Sequence, residues 1–234
     1  MEKLNEYKTL IQDKTPEEIM IWAESNFPDG KIALSSSFGA EDQVLTDMLS
    51  KNARNIRIFT LDTGRLFEET YDVIQKTKEK YSLNIETAFP DPNDIQDLVE
   101  KDWPNLFYNS IENRKKCCFV RKVKPLQNIL KTVDVWITGL RSEQNPTRSK
   151  LQFIEWDKQF GIYKVNPLAN WTNKDVWDYI KENTVPYNSL HDKDFPSIGC
   201  ATCTRVVRPG DDIRSGRWWW EESSKKECGL HLKK

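Results

Sequence analysis

Extended apolar stretches, net charge and internal repeats are all missing from this sequence of 234 residues, and each absence excludes something. No apolar run approaches the roughly 20 residues of a membrane-spanning helix. The first residues, Met1-Glu2-Lys3-Leu4-Asn5-Glu6, have no apolar signal-peptide core. Lys and Arg number 35 against 36 Asp and Glu, so no global field draws the chain to nucleic acid or to an anionic membrane. With 38% hydrophobic and 30% charged residues, the composition is that of a soluble globular protein. The chain is long enough to bury a core without disulfide or metal support. The expected location is the cytoplasm.

The periodicity predicts alternating helices and strands. Thr15-Pro16-Glu17-Glu18 is a helix start, with a hydroxyl cap, proline in the first turn and acids behind it. Strands are expected at 31–34, 56–61, 84–88, 133–139 and 162–165, and helices over 40–51, 66–81 and 176–181. Thr172-Asn173-Lys174-Asp175 caps the last of these. This alternation specifies an α/β fold, a mostly parallel twisted sheet with helices on both faces. From about residue 190 the periodicity fades, and an irregular C-terminal segment is expected to fold back over the active site. The expected division is a nucleotide-binding α/β domain over 1–190 and a working C-terminal segment over 191–234.

Ligands of open α/β sheets bind at the carboxyl ends of the strands. Here those ends carry Ser35-Ser36-Ser37-Phe38-Gly39, Leu61-Asp62-Thr63-Gly64 and Thr138-Gly139-Leu140-Arg141. A serine-rich turn entering a helix is expected to present N–H groups and hydroxyls to an anion, typically phosphate.

Five cysteines fall into an adjacent pair, Cys117-Cys118, a CxxC pair, Cys200 and Cys203, and a lone Cys228. Two pairs suggest four metal ligands, and the single thiol a nucleophile. Cys117-Cys118 is expected at a helix start, where neighbouring side chains diverge by about 100°. That is awkward for one tetrahedral zinc, so a [4Fe–4S] cluster, one per subunit, is expected in its place. Zinc and plain burial are the alternatives. Cys228, beside Lys225, Lys226 and His231, has cations that lower a thiol pKa. Arg141, Arg148, Arg205, Arg208, Arg214 and Arg217 supply planar donors for oxyanions.

Taken in order, these segments resemble the assimilatory, thioredoxin-dependent adenylylsulfate reductases, of the phosphoadenylylsulfate/adenylylsulfate reductase family. The likeness runs through Ser37-Phe38-Gly39-Ala40-Glu41-Asp42, Leu61-Asp62-Thr63-Gly64, Lys116-Cys117-Cys118 with Arg121-Lys122, and Thr138-Gly139-Leu140-Arg141 to Thr147-Arg148. It continues through Asn166-Pro167-Leu168, Trp171-Thr172, Val185-Pro186-Tyr187-Asn188 and Pro196-Ser197-Ile198-Gly199-Cys200 to Cys203-Thr204. It ends in Gly216-Arg217-Trp218-Trp219-Trp220-Glu221 and Glu227-Cys228-Gly229-Leu230-His231.

The resemblance implies an adenine nucleotide alpha hydrolase-like fold and reduction of adenylylsulfate to sulfite and AMP in assimilatory sulfate reduction, leading to cysteine. It implies Cys228 as nucleophile through an S-sulfocysteine, with His231 and Lys122 as catalytic partners and thioredoxin as electron donor. Ser35, Ser36, Ser37, Gly39, Leu61, Asp62, Thr63, Gly64, Gly139, Arg141, Arg148, Arg214 and Arg217 are implied to hold the substrate. Cys117, Cys118, Cys200 and Cys203 are implied to hold the cluster, with Lys122 linking it to the substrate. A homo-oligomer is expected, with no nucleic acid or membrane partner. The 3′-phosphorylated substrate is a possible second one.

Two competing readings make different demands. An ATP-dependent sulfur- or amide-transfer enzyme would carry zinc and release pyrophosphate. A zinc-stabilised RNA-binding module would have no use for Cys228. The serine turn departs from the Ser-Gly-Gly-x-Asp-Ser pattern of ATP pyrophosphatases, which disfavours the first. Asp194-Phe195 stands where Gly-Tyr is expected before Pro196.

Overall fold

The computed structural model describes residues 2–144 and 150–221. Two helices open the chain: α1, Glu2–Ile11, and α2, Pro16–Asn26. The start of α2 is the expected one, because Thr15 and Glu18 form a reciprocal capping box and Pro16 occupies the first turn. Strand β1 (Ile32–Ser35) leads to α3 (Ala40–Asn52), β2 (Arg57–Leu61) to α4 (Glu68–Tyr81), and β3 (Ile85–Ala88) to α5 (Pro92–Asp102). Then come α6 (Ile111–Cys118), a π-helical turn (Phe119–Val123) and α7 (Lys124–Leu130). Strands β4 (Val135–Ile137), β5 (Ile154–Asp157) and β6 (Ile162–Val165) precede α8 (Asn173–Glu182).

The strands form one six-stranded sheet in the order β3-β2-β1-β4-β6-β5. β1 pairs in parallel with β2 and β4, and β4 pairs in parallel with β6. Only β5, an edge strand, pairs antiparallel with its neighbour. β1 and β4 therefore lie side by side where the strand order reverses, and their carboxyl ends are the turns that open ligand crevices in such sheets.

The chain divides into two compact units. Among the described residues the first comprises 2–60, 72–86, 130–144 and 150–188. Its core contains Ile11, Ile19, Leu34, Leu45, Met48, Val135, Ile137 and Val176, all essentially solvent-free. The second comprises 61–71, 87–129 and, among the described residues, 189–221. Leu98, Leu106, Phe107, Cys117, Cys203 and Trp218 pack into its own cluster. Its last stretch begins at Ser189, and over 189–221 it has short 3₁₀ turns but no α-helix or strand.

Two local expectations are corrected. Cys117-Cys118 lies at the end of a helix, not its start, because Ser110 is the true cap and accepts from Asn113 N–H. The turn that follows is π-helical rather than a fresh helix.

Candidate functional site

In the first unit, the serine turn after β1 is closed on itself. Ser36 N–H donates to Phe59 O at 2.8 Å, and Phe38 N–H donates to Ser36 Oγ at 3.2 Å. Ser37 donates through both its N–H and its hydroxyl to Asp42 Oδ2, at 2.6 and 2.7 Å. Ser35 Oγ accepts from Trp136 Nε1 at 2.8 Å. The N–H groups of residues 36–38 thus have internal partners, so the turn is not the open phosphate cradle its composition suggests. The geometry requires Phe38 in the left-handed region, at φ 58°, where its side chain is buried. Gly39 then caps α3, whose first turn carries Glu41 and Asp42. Those two acids already complement the positive end of the helix.

The turn after β4 meets this one. Gly139 packs so closely that a Cβ there would stand 2.5 Å from Asp42 Oδ1 and 3.0 Å from Glu41 Cβ. Arg141 follows, nearly solvent-free, with all five of its donors engaged. Nε and Nη2 donate to Glu41 Oε1 at 3.0 and 2.9 Å, and Nη1 donates to Glu143 Oε2 at 2.9 Å and to Trp171 O at 3.3 Å. Nη2 also donates to Asn173 Oδ1 at 3.5 Å. Burial pushes the Asp42 carboxyl up to about 6, against the pull of Ser37 and the Gly139 amide.

In the second unit, the Leu61-Asp62-Thr63-Gly64 turn is likewise pinned. Asp62 accepts from Gly64 N–H at 2.8 Å and from the Tyr71 hydroxyl at 3.0 Å. Gly64 sits at φ +69° with the Arg121 guanidinium against it, and Arg121 donates to Thr63 O at 2.7 Å. Thr63 Oγ1 lies 3.3 Å from Cys200 Sγ. Arg217 donates to Ser197 Oγ and Ile198 O and stacks on Trp218 at 4.9 Å. The Nε–H groups of Arg121 and Arg217 are buried without a hydrogen-bond partner among the described residues. Such orphan donors are what an anion would satisfy.

The second unit also gathers thiols. Burial opposes ionisation of Cys200, yet Lys122, the Thr63 contact, Arg217 and Arg121 together hold its thiol below the ordinary value. Burial raises Cys117 and pushes Cys203 up to about 11. None of Cys117, Cys118, Cys200 and Cys203 is in a disulfide.

The four-cysteine expectation is corrected here. Among the described residues, no group of three or more His, Cys, Asp or Glu side chains is arranged to hold a metal ion. The residues therefore do not fit the expected [4Fe–4S] cluster, and the iron–sulfur and metal-binding assignments fall with it. The local reason is packing: Cys117 and Cys203 lie buried among Leu98, Leu106, Phe107 and Trp218 in an apolar cluster. The link expected between Lys122 and the cluster goes too, although its influence on Cys200 stands.

Cys228, His231 and Arg148 lie outside the described residues. Residues that sequence reasoning did not mark as functional include Asp42 and the buried pair Arg114 and Glu221. Asp42 had a signal, an acid inside the quoted Ser37–Asp42 motif, but acids in a first helical turn read equally as dipole partners. No helix among the described residues is long and apolar enough to cross a membrane.

An open, mostly parallel sheet with its reversal between β1 and β4 and small polar turns at the strand ends is an α/β fold of the nucleotide-binding kind. The chain belongs to the phosphoadenosine phosphosulfate reductase family, whose domain matches residues 31–206. Adenosine 5′-phosphosulfate reductase of Allochromatium vinosum is 48% identical over 200 residues, covering 86% of this chain and 78% of that one. Its counterpart in Pseudomonas aeruginosa is 44% identical over 227 residues, 94% of this chain and 84% of the relative. The crystal structure of phosphoadenylyl-sulfate reductase from Candida auris, a phosphate complex, superposes with a TM-score of 0.76 at 30% identity, over 88% of this chain and 97% of that one. FMN adenylyltransferase of Candida glabrata, at 16% identity and a TM-score of 0.56, over 91% of this chain and 74% of that one, shares the fold alone. The chain is an oxidoreductase of the adenylylsulfate/phosphoadenylylsulfate reductase class, acting on a sulfur-containing substrate.

Proposed function

We propose that the protein reduces adenylylsulfate to sulfite and AMP with electrons from a thioredoxin-class dithiol. The observation that carries the reading is identity of 43–48% to adenosine 5′-phosphosulfate reductases over most of the chain, together with the terminal Glu227-Cys228-Gly229-Leu230-His231. In this reading the Cys228 thiolate attacks the sulfate sulfur. The S–O bond to the AMP phosphate breaks, and AMP leaves. The dithiol then attacks Cys228 Sγ of the S-sulfocysteine and expels sulfite, and its second thiol resolves the mixed disulfide. The dithiol is oxidised by two electrons and Cys228 is regenerated.

An anionic nucleophile must approach an anionic substrate, so concentrated positive charge is needed on that path. Lys122, Arg214, Arg217 and Arg148 are assigned to the sulfate and phosphate oxygens, and His231 to the reacting end. The orphan Nε–H of Arg217 supports its part. Ser35, Ser36, Ser37, Gly39, Gly139, Leu61, Asp62, Thr63 and Gly64 are assigned to the nucleotide. Arg141 is assigned through Glu41, since its own donors are engaged. The division into nucleotide-holding residues 1–190 and a working segment 191–234 belongs to the same reading. So do a cytoplasmic location, a homo-oligomeric state and a place in assimilatory sulfate reduction toward cysteine.

The test is to mix the protein with adenylylsulfate in the absence of reductant and measure its intact mass. A gain of one sulfo group, with AMP released and sulfite formed only on adding reduced thioredoxin, is expected. Cys228→Ser should show neither adduct nor sulfite while still binding AMP. Wild-type sulfite release by Cys228→Ser would remove that thiol from the chemistry.

A further inference from the structure

Arg217 is buried, and its guanidinium stacks on the Trp218 ring at 4.9 Å. Gly199 lies against the same group: a Cβ there would stand 2.2 Å from Nη2, 2.5 Å from Cζ and 3.0 Å from Nη1. Nη1 donates to Ile198 O at 3.2 Å and to Ser197 Oγ at 3.4 Å, which fixes the rotation of the group in its own plane. What remains is the edge carrying Nε and Nη2, and the Nε–H is buried without a hydrogen-bond partner among the described residues. Two parallel N–H bonds from one guanidinium edge fit two oxygens of a single oxyanion.

Trp218 is itself held in the left-handed region, at φ 41°, a conformation that is strained for a bulky residue. Its N–H donates to Cys203 O at 3.0 Å, and its carbonyl accepts from Glu221 N–H at 2.8 Å. The same ring carries Arg114 at 4.6 Å, but Glu221 takes that charge through both of its oxygens. The partners of Arg217 are a carbonyl and a hydroxyl, so its charge is left for a ligand.

We propose that Gly199 and Trp218 are positioning residues: together they hold the Arg217 guanidinium so that its Nε–Nη2 edge meets one oxyanion of the substrate through two parallel bonds. The rotamer freedom of a long side chain is then lost on folding and not on binding. This rests on the sulfonucleotide reading above and adds to it by which edge Arg217 engages the ligand and what keeps that edge in place.

Gly199→Ala tests this by steady-state kinetics with adenylylsulfate and reduced thioredoxin. Gly199 is not among the residues at positive φ, and the new methyl meets the far end of a flexible side chain, so the thermal midpoint should change little. KM should rise about tenfold, the size of a lost charge-assisted bond, with a smaller change in kcat. In an Arg217→Lys background the same alanine should add less than about twofold, because no guanidinium is left to displace. A merely structural glycine predicts the same factor in both backgrounds. The inhibition constant of AMP names the oxyanion: a matching rise assigns the phosphate, and no rise assigns the sulfate. If Gly199→Ala does not fold, Trp218→Phe, which keeps a ring face, should hold KM closer to wild type than Trp218→Leu does. An unchanged KM in folded Gly199→Ala, an equal factor in both backgrounds, or equal KM values in the two Trp218 variants overturns the proposal. A wild-type chain that releases no sulfite from adenylylsulfate overturns the reading on which it rests.

Discussion

Arg114 and Glu221 form a two-pronged ion pair in the interior of the second unit, with Nε to Oε1 at 2.8 Å and Nη2 to Oε2 at 2.7 Å. Their side chains are 1% and 2% exposed. The guanidinium also stacks on Trp218 at 4.6 Å, and Arg217 stacks on the same ring at 4.9 Å. One column therefore ties α6 to the tryptophan segment and to an arginine assigned to the substrate. Burying two charges costs several kcal/mol each, and the paired geometry offsets that cost only while both partners are present.

Removing one partner leaves the other charge buried and alone. Glu221→Gln and Arg114→Met should each destabilise the protein by about 3–5 kcal/mol, read as a fall in the urea midpoint at unchanged slope. The double variant Arg114→Met with Glu221→Leu should recover most of that loss, because no charge is left stranded. Additive losses in the double variant would show that the pair is not the source of the effect.

Asp42 predicts a stability change with a definite sign. Its native pKa of about 6 lies above the roughly 3.9 of an unfolded aspartate. The native state thus binds the proton more tightly, and the Asp42 contribution to stability falls as pH rises from about 4 to about 6. Two pH units at roughly 1.4 kcal/mol each make this about 3 kcal/mol. Chemical unfolding of wild type and Asp42→Asn at several pH values isolates it, since other groups cancel in the difference. The difference should move in favour of the variant between pH 4 and pH 6 and then level off. A flat difference across that window would sink the argument.

Much of the scaffold is legible in short-range signals. Thr15 with Glu18 and Thr172 with Asp175 are capping boxes, and both helices start where those residues require. The alternation of apolar runs and long helices finds β1, β2, β3, β4 and β6. The elements it passes over still carried signals. Leu4, Tyr7 and Ile11 lie on one face of α1, and Asp91-Pro92 opens α5 as a cap followed by proline. β5, Ile-Glu-Trp-Asp, is a four-residue edge strand whose two acids hide the pattern.

The site was legible in composition and not in bonding. Ser35-Ser36-Ser37 reads as a cradle for an anion because its donors are nearby in sequence. Their partners, Phe59 O and Trp136 among them, come from other strands. The same limit applies to the cysteines: spacing groups them in pairs, but which thiols are buried and which face cations is settled by tertiary packing.

Gly139 offers a sharp steric comparison. A Cβ at that position meets Asp42 Oδ1 at 2.5 Å and the Asp42 amide nitrogen at 3.3 Å, and a buried carboxylate held by three donors has nowhere to go. Gly139→Ala should cost about 1–3 kcal/mol, as overpacking does, and should weaken AMP binding. At Gly39 the nearest atom is Ser37 Oγ at 3.5 Å, an ordinary contact. Gly39→Ala should lose only about 0.5–1 kcal/mol, the difference between glycine and alanine at a helix cap. Equal losses at both positions would mean that the close approach to Asp42 is not what Gly139 provides.

Two arginines make opposite predictions under the same substitution. Arg141 is buried with every donor engaged by Glu41, Glu143, Trp171 and Asn173, so its work is done inside the protein. Arg217 keeps a buried Nε–H without a partner among the described residues, a donor that a bound anion can take. Lysine keeps the charge and loses the planar fork in both cases. Arg141→Lys should therefore lower the thermal midpoint markedly, with a smaller change in KM for adenylylsulfate in the fraction that is folded. Arg217→Lys should raise that KM about tenfold, the size of a lost charge-assisted bond, with a smaller change in the midpoint. Steady-state kinetics and a thermal scan on the same preparations separate the two. If Arg141→Lys raises KM more than Arg217→Lys does, then Arg141 meets the substrate directly and its pairing with Glu41 is broken when the substrate binds.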